Sequence, residues 1–247
     1  MRRPLPILCA LALALAPSAC GGDDEKQSGK DGRKGARSTA TGGKGGPTGT
    51  TATTAAAPEC RRVPEPRPKP AQKVPRPTQA LDARRTHRAV VATSCGEFTI
   101  TLDVRRAPKT ASSFAHLARR GFFDELLFHR VIPQFVIQGG DPLGNGQGGP
   151  GYKVVEPPPD GIRYTRGVVA MAKTEIEESG TSGSQFYVVT GDDAQLPPEY
   201  ALVGRVTAGQ DVVDTIGIVP TDQSDPEAAD RPLEPVVIRQ VTIESGR

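Results

Sequence analysis

All eleven aromatic side chains of this 247-residue chain lie between Phe98 and Tyr200. Aromatic and large aliphatic side chains supply most of the apolar area that a core removes from water. A core can therefore form only in the later part of the chain. The overall content of 28 Gly and 24 Pro averages over two unlike regions. The first third reads as non-globular, and the remainder as one domain of about 160 residues, enough to bury a core. Two globular domains and a coiled coil are excluded. So is a multi-span membrane protein, because no apolar run reaches ~18 residues.

The first twenty residues divide into three parts. Arg2 and Arg3 supply positive charge, residues 5–16 are apolar but too short to cross a bilayer, and Pro17-Ser18-Ala19 is a small-residue exit. Residues 1–19 read as a secretory signal peptide. Cys20 after these small residues resembles a bacterial lipoprotein processing site. That resemblance implies lipidation of Cys20 and anchoring to the cell membrane outside the cytoplasm. Pro17 stands where the pattern usually has leucine, and cleavage nearby with free secretion is the alternative.

Residues 20–85 read as a tether. Between 21 and 80 there are ten Gly and eight Pro, with almost no large apolar side chains to offset the entropy of ordering. Its first part is Gly/Thr-rich, and Pro64 to Pro77 predicts a stiffer polyproline spacer. From Arg61 to Arg88 nine Lys/Arg face only Glu65 and Asp82. No aromatic is interleaved with them, so the run is a solvated basic linker with no platform for stacking bases, and no nucleic-acid partner is expected. Four cysteines occur. Cys9 leaves with the signal peptide and Cys20 is assigned to lipid. Cys60 and Cys95 remain, and in an exported protein they are expected to form a disulfide.

From residue 86 the pattern is mostly β. Residues 89–93 are β-branched and apolar. Phe98, Ile100, Leu102 and Val104 alternate with polar positions, as in a half-buried strand, after a turn at Cys95-Gly96-Glu97. Residues 108–120 predict a helix with Pro108 in its first turn and Gly121 at its end. Further strands are predicted at 127–132, 135–138, 168–172, 186–190, 201–206 and 236–243, with a short helix at 210–216. Eight or so short strands with few helices predict a mainly β closed barrel or a sandwich.

The three histidines, His87, His116 and His129, are not at metal-ligand spacing, and no phosphate loop, nucleophile elbow or calcium loop occurs. The dense segment is Phe128 to Asp141. Strand parity there puts Phe128 and Arg130 on one face, and Val136 and Gln138 on one face of the next strand. If the two strands pair, a guanidinium, an amide and apolar groups meet.

Phe128-His129-Arg130-Val131-Ile132-Pro133, Phe135 and Ile137-Gln138-Gly139-Gly140-Asp141 together resemble the signature of the cyclophilin-type peptidyl-prolyl cis–trans isomerases. Ala107-Pro108-Lys109-Thr110, the glycines from Gly144 to Gly151, Gly167 to Ala172, Gly180 to Tyr187, and Leu196 with Tyr200 to Val206 extend the resemblance over about residues 88–247. It implies a closed eight-stranded antiparallel barrel capped by two helices, and the signal peptide and disordered linker read above would precede it. It implies isomerisation of X–Pro bonds without cofactor or metal. Arg130, Phe135 and Gln138 would be catalytic. Val136, Ala172, Lys173 (through its backbone), Gln185, Tyr187, Leu196 and Tyr200 would bind substrate. Expected partners are proline-containing polypeptides of exported proteins and, through Cys20, the membrane; the chain is expected to work as a monomer. A non-catalytic proline-peptide-binding module on the same fold is the alternative reading.

Overall fold

The computed structural model describes residues 58–70, 73–224 and 230–246. The expected signal peptide and Cys20 lie outside the described residues. Two β-branched, alternating segments pair first, as a hairpin: β1 (Thr86–Thr93) and β2 (Gly96–Leu102). Phe98, Ile100 and Leu102 point inward from β2, as their spacing predicts. The turn between the strands is tied by Thr93, whose hydroxyl donates to Gly96 O at 2.7 Å and accepts from Cys95 N at 3.0 Å.

The helix α1 (Pro108–Arg119) follows, then β3 (Leu126–Leu127), β4 (Arg130–Ile132) and β5 (Val136–Gly139). Next come β6 (Val154–Val155), β7 (Val168–Met171), β8 (Thr181–Ser182) and β9 (Phe186–Val189). The chain finishes with β10 (Leu202–Ala208), α2 (Gln210–Ile216) and β11 (Val237–Gly246). β6 and β8 form a separate two-stranded ribbon that the sequence does not announce, each strand being too short to show a period.

The other nine strands form one curled antiparallel sheet in the order β3-β11-β1-β2-β10-β7-β9-β5-β4. The architecture is mainly β with two helices, and differs from the expected closed eight-stranded barrel. β3 and β4 remain edges and do not pair with each other; they are near neighbours in the chain, and the single bridge Leu127–Asp141 links β3 to the exit of β5. The segment predicted as one strand over 127–132 breaks at Phe128-His129. The break overturns the expected parity. Phe128 turns into the core beside Phe98 and Phe186, while Arg130 lies on the opposite face.

The concave core is aromatic. Phe114 of α1 stacks on Phe123 at 4.9 Å between centroids and meets Phe186 of β9 edge-on at 5.3 Å. Each such fully buried Phe contributes roughly 1.5–3 kcal/mol of transfer free energy. Ala107 offers no side-chain cap to α1, and the cap comes from a distant residue. Glu156 accepts the N–H of Lys109 at 3.0 Å and of Thr110 at 2.7 Å. A carboxylate at this end also complements the helix dipole.

Residues 58–70 and 73–85, assigned by sequence to the tether, have no helix or strand but are seated on the domain. Arg61 N donates to Ser94 O at 2.9 Å, Lys69 N to Pro142 O at 2.8 Å, Val74 N to Pro150 O at 2.9 Å and Leu81 N to Ser112 Oγ at 2.9 Å. Val74 and Leu81 pack against the core, and Cys60 is bonded to Cys95 across 35 positions. A proline-rich extended backbone leaves its own N–H and C=O groups unpaired, so they are free to bond to neighbouring loops. We refer to this part as the strap. Reducing the disulfide is expected to lower the unfolding free energy by about 3–4 kcal/mol, the loop-closure value for this span, as read from denaturant unfolding with and without reductant.

Candidate active site

β5, β7 and β9 are buried almost throughout, because both of their faces are covered. Ile137, Val169, Met171, Phe186 and Val188 belong to the aromatic core. The alternate residues Val136, Val168, Ala170, Tyr187 and Val189, with Leu202 of β10, form a second apolar cluster on the other face. This is the period-two alternation of a strand expressed on two apolar faces.

The pairing register lines up one row across that second face. Arg130 is opposite Gln138, Gln138 opposite Tyr187, Tyr187 opposite Ala170, and Ala170 opposite Leu202. A cation, an amide and an apolar floor thus stand side by side on rigid strands. Phe135, Ala172, Leu196 and Tyr200 are half-buried and pack against this floor. The structure therefore brings the sequence-predicted Arg130, Phe135, Val136, Gln138, Ala172, Tyr187, Leu196 and Tyr200 to one face.

Gln185 fixes how Gln138 points. Its Nε2 donates to Gly146 O at 2.8 Å and Gly148 O at 3.0 Å, which uses both amide hydrogens. Its Oε1 is left as an acceptor and takes Gln138 Nε2 at 3.1 Å. Gln138 therefore keeps one amide hydrogen and its carbonyl oxygen for another group. The glycine carbonyls are held in turn by Asp141. The buried Asp141 carboxylate accepts the N–H groups of Leu143 at 2.8 Å, Asn145 at 2.9 Å and Gly146 at 2.5 Å. Two neighbouring glycines are obligatory. Gly140 has φ +86, and a Cβ there would lie 2.4 Å from Ser184 O; a Cβ on Gly148 would lie 1.9 Å from Asp141 Oδ1.

Lys173 faces away from the open surface. Its ammonium is 3.0 Å from Glu199 Oε2, donates to Glu177 O at 3.2 Å and sits 5.6 Å from the centre of the Tyr200 ring. The side chain clips two loops together, leaving only its backbone for a groove. Tyr200 is set by Tyr164, whose hydroxyl donates to Tyr200 O at 2.7 Å and accepts from Tyr200 N at 2.9 Å. Tyr164, Tyr187 and Tyr200 pack edge-on or tilted, with centroids 5.6–6.2 Å apart. Burial raises the pKa of Tyr164 to about 12 and that of Tyr187 well above 10, so both rings are neutral packing groups at working pH. Burial likewise lowers His129, next to Arg130, to about 4, so this imidazole is neutral near neutrality and adds no charge beside the guanidinium.

Arg130 itself is about a quarter exposed, with Nε 3.4 Å from Asp230 Oδ2. Sequence reasoning missed Asp230, Asp141, Glu156 and Tyr164. Only Asp141 carried a signal: an aspartate opening a Gly-rich stretch is a ready acceptor for its N–H groups. Two clefts of about 220 and 120 Å³ are both lined by Glu65, Leu127 and Arg231, and none of the row's residues lines either.

A family profile described as cyclophilin type peptidyl-prolyl cis-trans isomerase/CLD matches residues 88–243. The chain belongs to the cyclophilin family. The cyclophilin domain is 38% identical over 162 residues to peptidyl-prolyl cis-trans isomerase-like 1 of Aspergillus fumigatus, covering 64% of this chain and 96% of that protein. It is 38% identical over 175 residues to peptidyl-prolyl cis-trans isomerase B of Streptomyces anulatus, with the same two coverages. A crystal structure of a Cryptosporidium parvum cyclophilin superposes with a TM-score of 0.59 at 28% identity, covering 66% of this chain and 99% of that one. The same Cryptosporidium protein, solved in the presence of the dipeptide Ala-Pro, gives 0.58 at 28% identity, covering 64% and 99%. The cyclophilin domain is thus an enzyme of the peptidyl-prolyl cis–trans isomerase class.

Because the Asp141 carboxylate gathers three N–H groups of the loop that holds Gln185, Asp141→Asn leaves at least one of these partly buried groups poorly paired. It is expected to lower the unfolding free energy of the cyclophilin domain by about 2–3 kcal/mol, as read from denaturant unfolding.

Proposed function

We propose that this isomerase turns X–Pro bonds of proteins exported from the cytoplasm, working from the outer side of the membrane on a lipid anchor at Cys20. The observation that carries the site assignment is the cross-sheet row in which Arg130 faces Gln138 and Gln138 faces Tyr187. Rotation about the amide must overcome a resonance barrier near ~20 kcal/mol. As the bond twists, the prolyl nitrogen regains its lone pair and becomes an acceptor. A charged donor placed there binds the twisted state better than the planar one, which is what lowers the barrier.

Arg130 is that donor in this reading. Nε is the nitrogen paired with Asp230, and the terminal N–H groups remain available. The remaining amide hydrogen of Gln138 takes the substrate carbonyl, and Gln185 fixes its direction. The proline ring rests on Phe135, Val136, Tyr187 and Leu196, while Ala172, the Lys173 backbone and Tyr200 line the groove beside the chain. The reaction makes and breaks no covalent bond and needs no proton transfer.

Two features support a place outside the cytoplasm. Residues 1–20 have the charge, apolar run and small-residue exit of an export signal. The Cys60–Cys95 disulfide suits an oxidising compartment.

In a proline-limited refolding or reporter-peptide assay, Arg130→Ala is expected to lower turnover about a hundredfold or more, the typical cost of one transition-state donor, with peptide binding largely retained. Full binding with no turnover in the unaltered protein would instead establish a proline-peptide-binding module. For the anchor, Cys20→Ser is expected to move the protein from the membrane fraction to the soluble one and to abolish lipid labelling. An unchanged distribution rejects the anchor.

A further inference from the structure

A guanidinium on an edge strand is useful to a reaction only if something aims it. β4 has three residues, and only one of its sides is paired, to β5. On the other side Val131 N donates to Asp230 O at 2.7 Å. Asp230 lies 100 positions further along the chain, in a loop whose two limbs are laced together. Asp222 N donates to Arg231 O at 2.8 Å, Asp230 N donates to Asp222 O at 3.2 Å, and Thr221 bridges Pro232. Arg231 is ion-paired to Glu65 of the strap. Asp230 itself has φ +71, a left-handed conformation that few residues other than Gly, Asn and Asp accept readily.

Held in that way, the carboxylate meets Arg130 at Nε, 3.4 Å from Oδ2, with both side chains about a quarter exposed. Nε is the donor nearest the stem of the side chain. An ion pair there biases the direction of the guanidinium by charge, from the stem side, and leaves the terminal N–H donors facing elsewhere. We propose that Asp230 is a positioning residue for the isomerisation, which aims the terminal N–H groups of Arg130 at the twisting amide. The proposal rests on the reading of Arg130 as the donor. It gives a reason for the left-handed backbone at Asp230. A carboxylate could instead weaken the donor by withdrawing charge from it, and the two roles predict opposite signs for its removal.

The test is Asp230→Asn in the full chain. Asparagine tolerates the same left-handed φ, so the Val131–Asp230 backbone bond is kept and only the charge is lost. Expected is a drop of about tenfold in kcat with KM and melting temperature little changed, since aiming acts on the transition state and not on ground-state binding. In an Arg130→Lys background, whose ammonium has no planar fork to orient, Asp230→Asn is expected to add nothing. If Asp230→Asn lowers the melting temperature, Asp230→Gly, which also suits the backbone, replaces it with the same expectation. Unchanged or raised kcat in these variants, while Arg130→Ala loses turnover, overturns the positioning role and leaves the Arg130 reading intact. Full turnover in Arg130→Ala overturns both.

Discussion

The register of the strands is the constraint on which this structure depends. Side chains alternate between the faces of a strand, so a slip of one residue exchanges the faces. Here both faces matter. On β9, Phe186 and Val188 fill the aromatic core, while Tyr187 and Val189 build the floor of the site. On β5, Ile137 faces the core, and Val136 and Gln138 share the other face. Because the core side is filled by large rings, a slipped strand would force aromatic groups out and small or polar groups in. Packing of the core therefore fixes the line from Arg130 through Gln138 to Tyr187, although none of these three contributes to that core.

Three carboxylates complete what the strands begin. Glu156 caps α1 from 46 residues away, Asp141 gathers the N–H groups of its own loop, and Asp230 reaches the β4 edge. Asp141 and Glu156 satisfy backbone donors that regular structure leaves open, and a charged acceptor does so more strongly than a neutral one. Asp141 acts on the site indirectly. Its loop carbonyls use up the donors of Gln185, and Gln185 then leaves Gln138 a single orientation. The site is accordingly organised by groups that lie beneath or beside it.

The strap extends this support. Its backbone N–H groups at Lys69 and Val74 bond to Pro142 and Pro150, near the two ends of the Gly-rich loop, and its disulfide fixes one end to the β1–β2 turn. A segment with the composition of a spacer thus contributes to the folded domain from residue 58 onward. Composition could not reveal this, because the strap buries little apolar area of its own and is held through hydrogen bonds and a covalent link.

Much of the rest was readable in the residues. The confinement of aromatics to 98–200 located the core, the alternation of Phe98, Ile100 and Leu102 defined a strand face, and the expectation of an export signal led to the pairing of Cys60 with Cys95. The dense segment from Phe128 to Asp141 put Arg130 and Gln138 near each other once two strands paired. The parity of Phe128 was misread, because a two-residue break reverses the face and leaves no periodic trace. Local pattern determined elements, faces and the chemistry available, since these follow from period and side-chain type. Only the tertiary structure decided which carboxylate caps which helix, that Gln185 orients Gln138, and that Asp230 meets Arg130. Those partners are 46, 47 and 100 positions apart, and only the curl of the sheet brings them within hydrogen-bonding or ion-pairing distance.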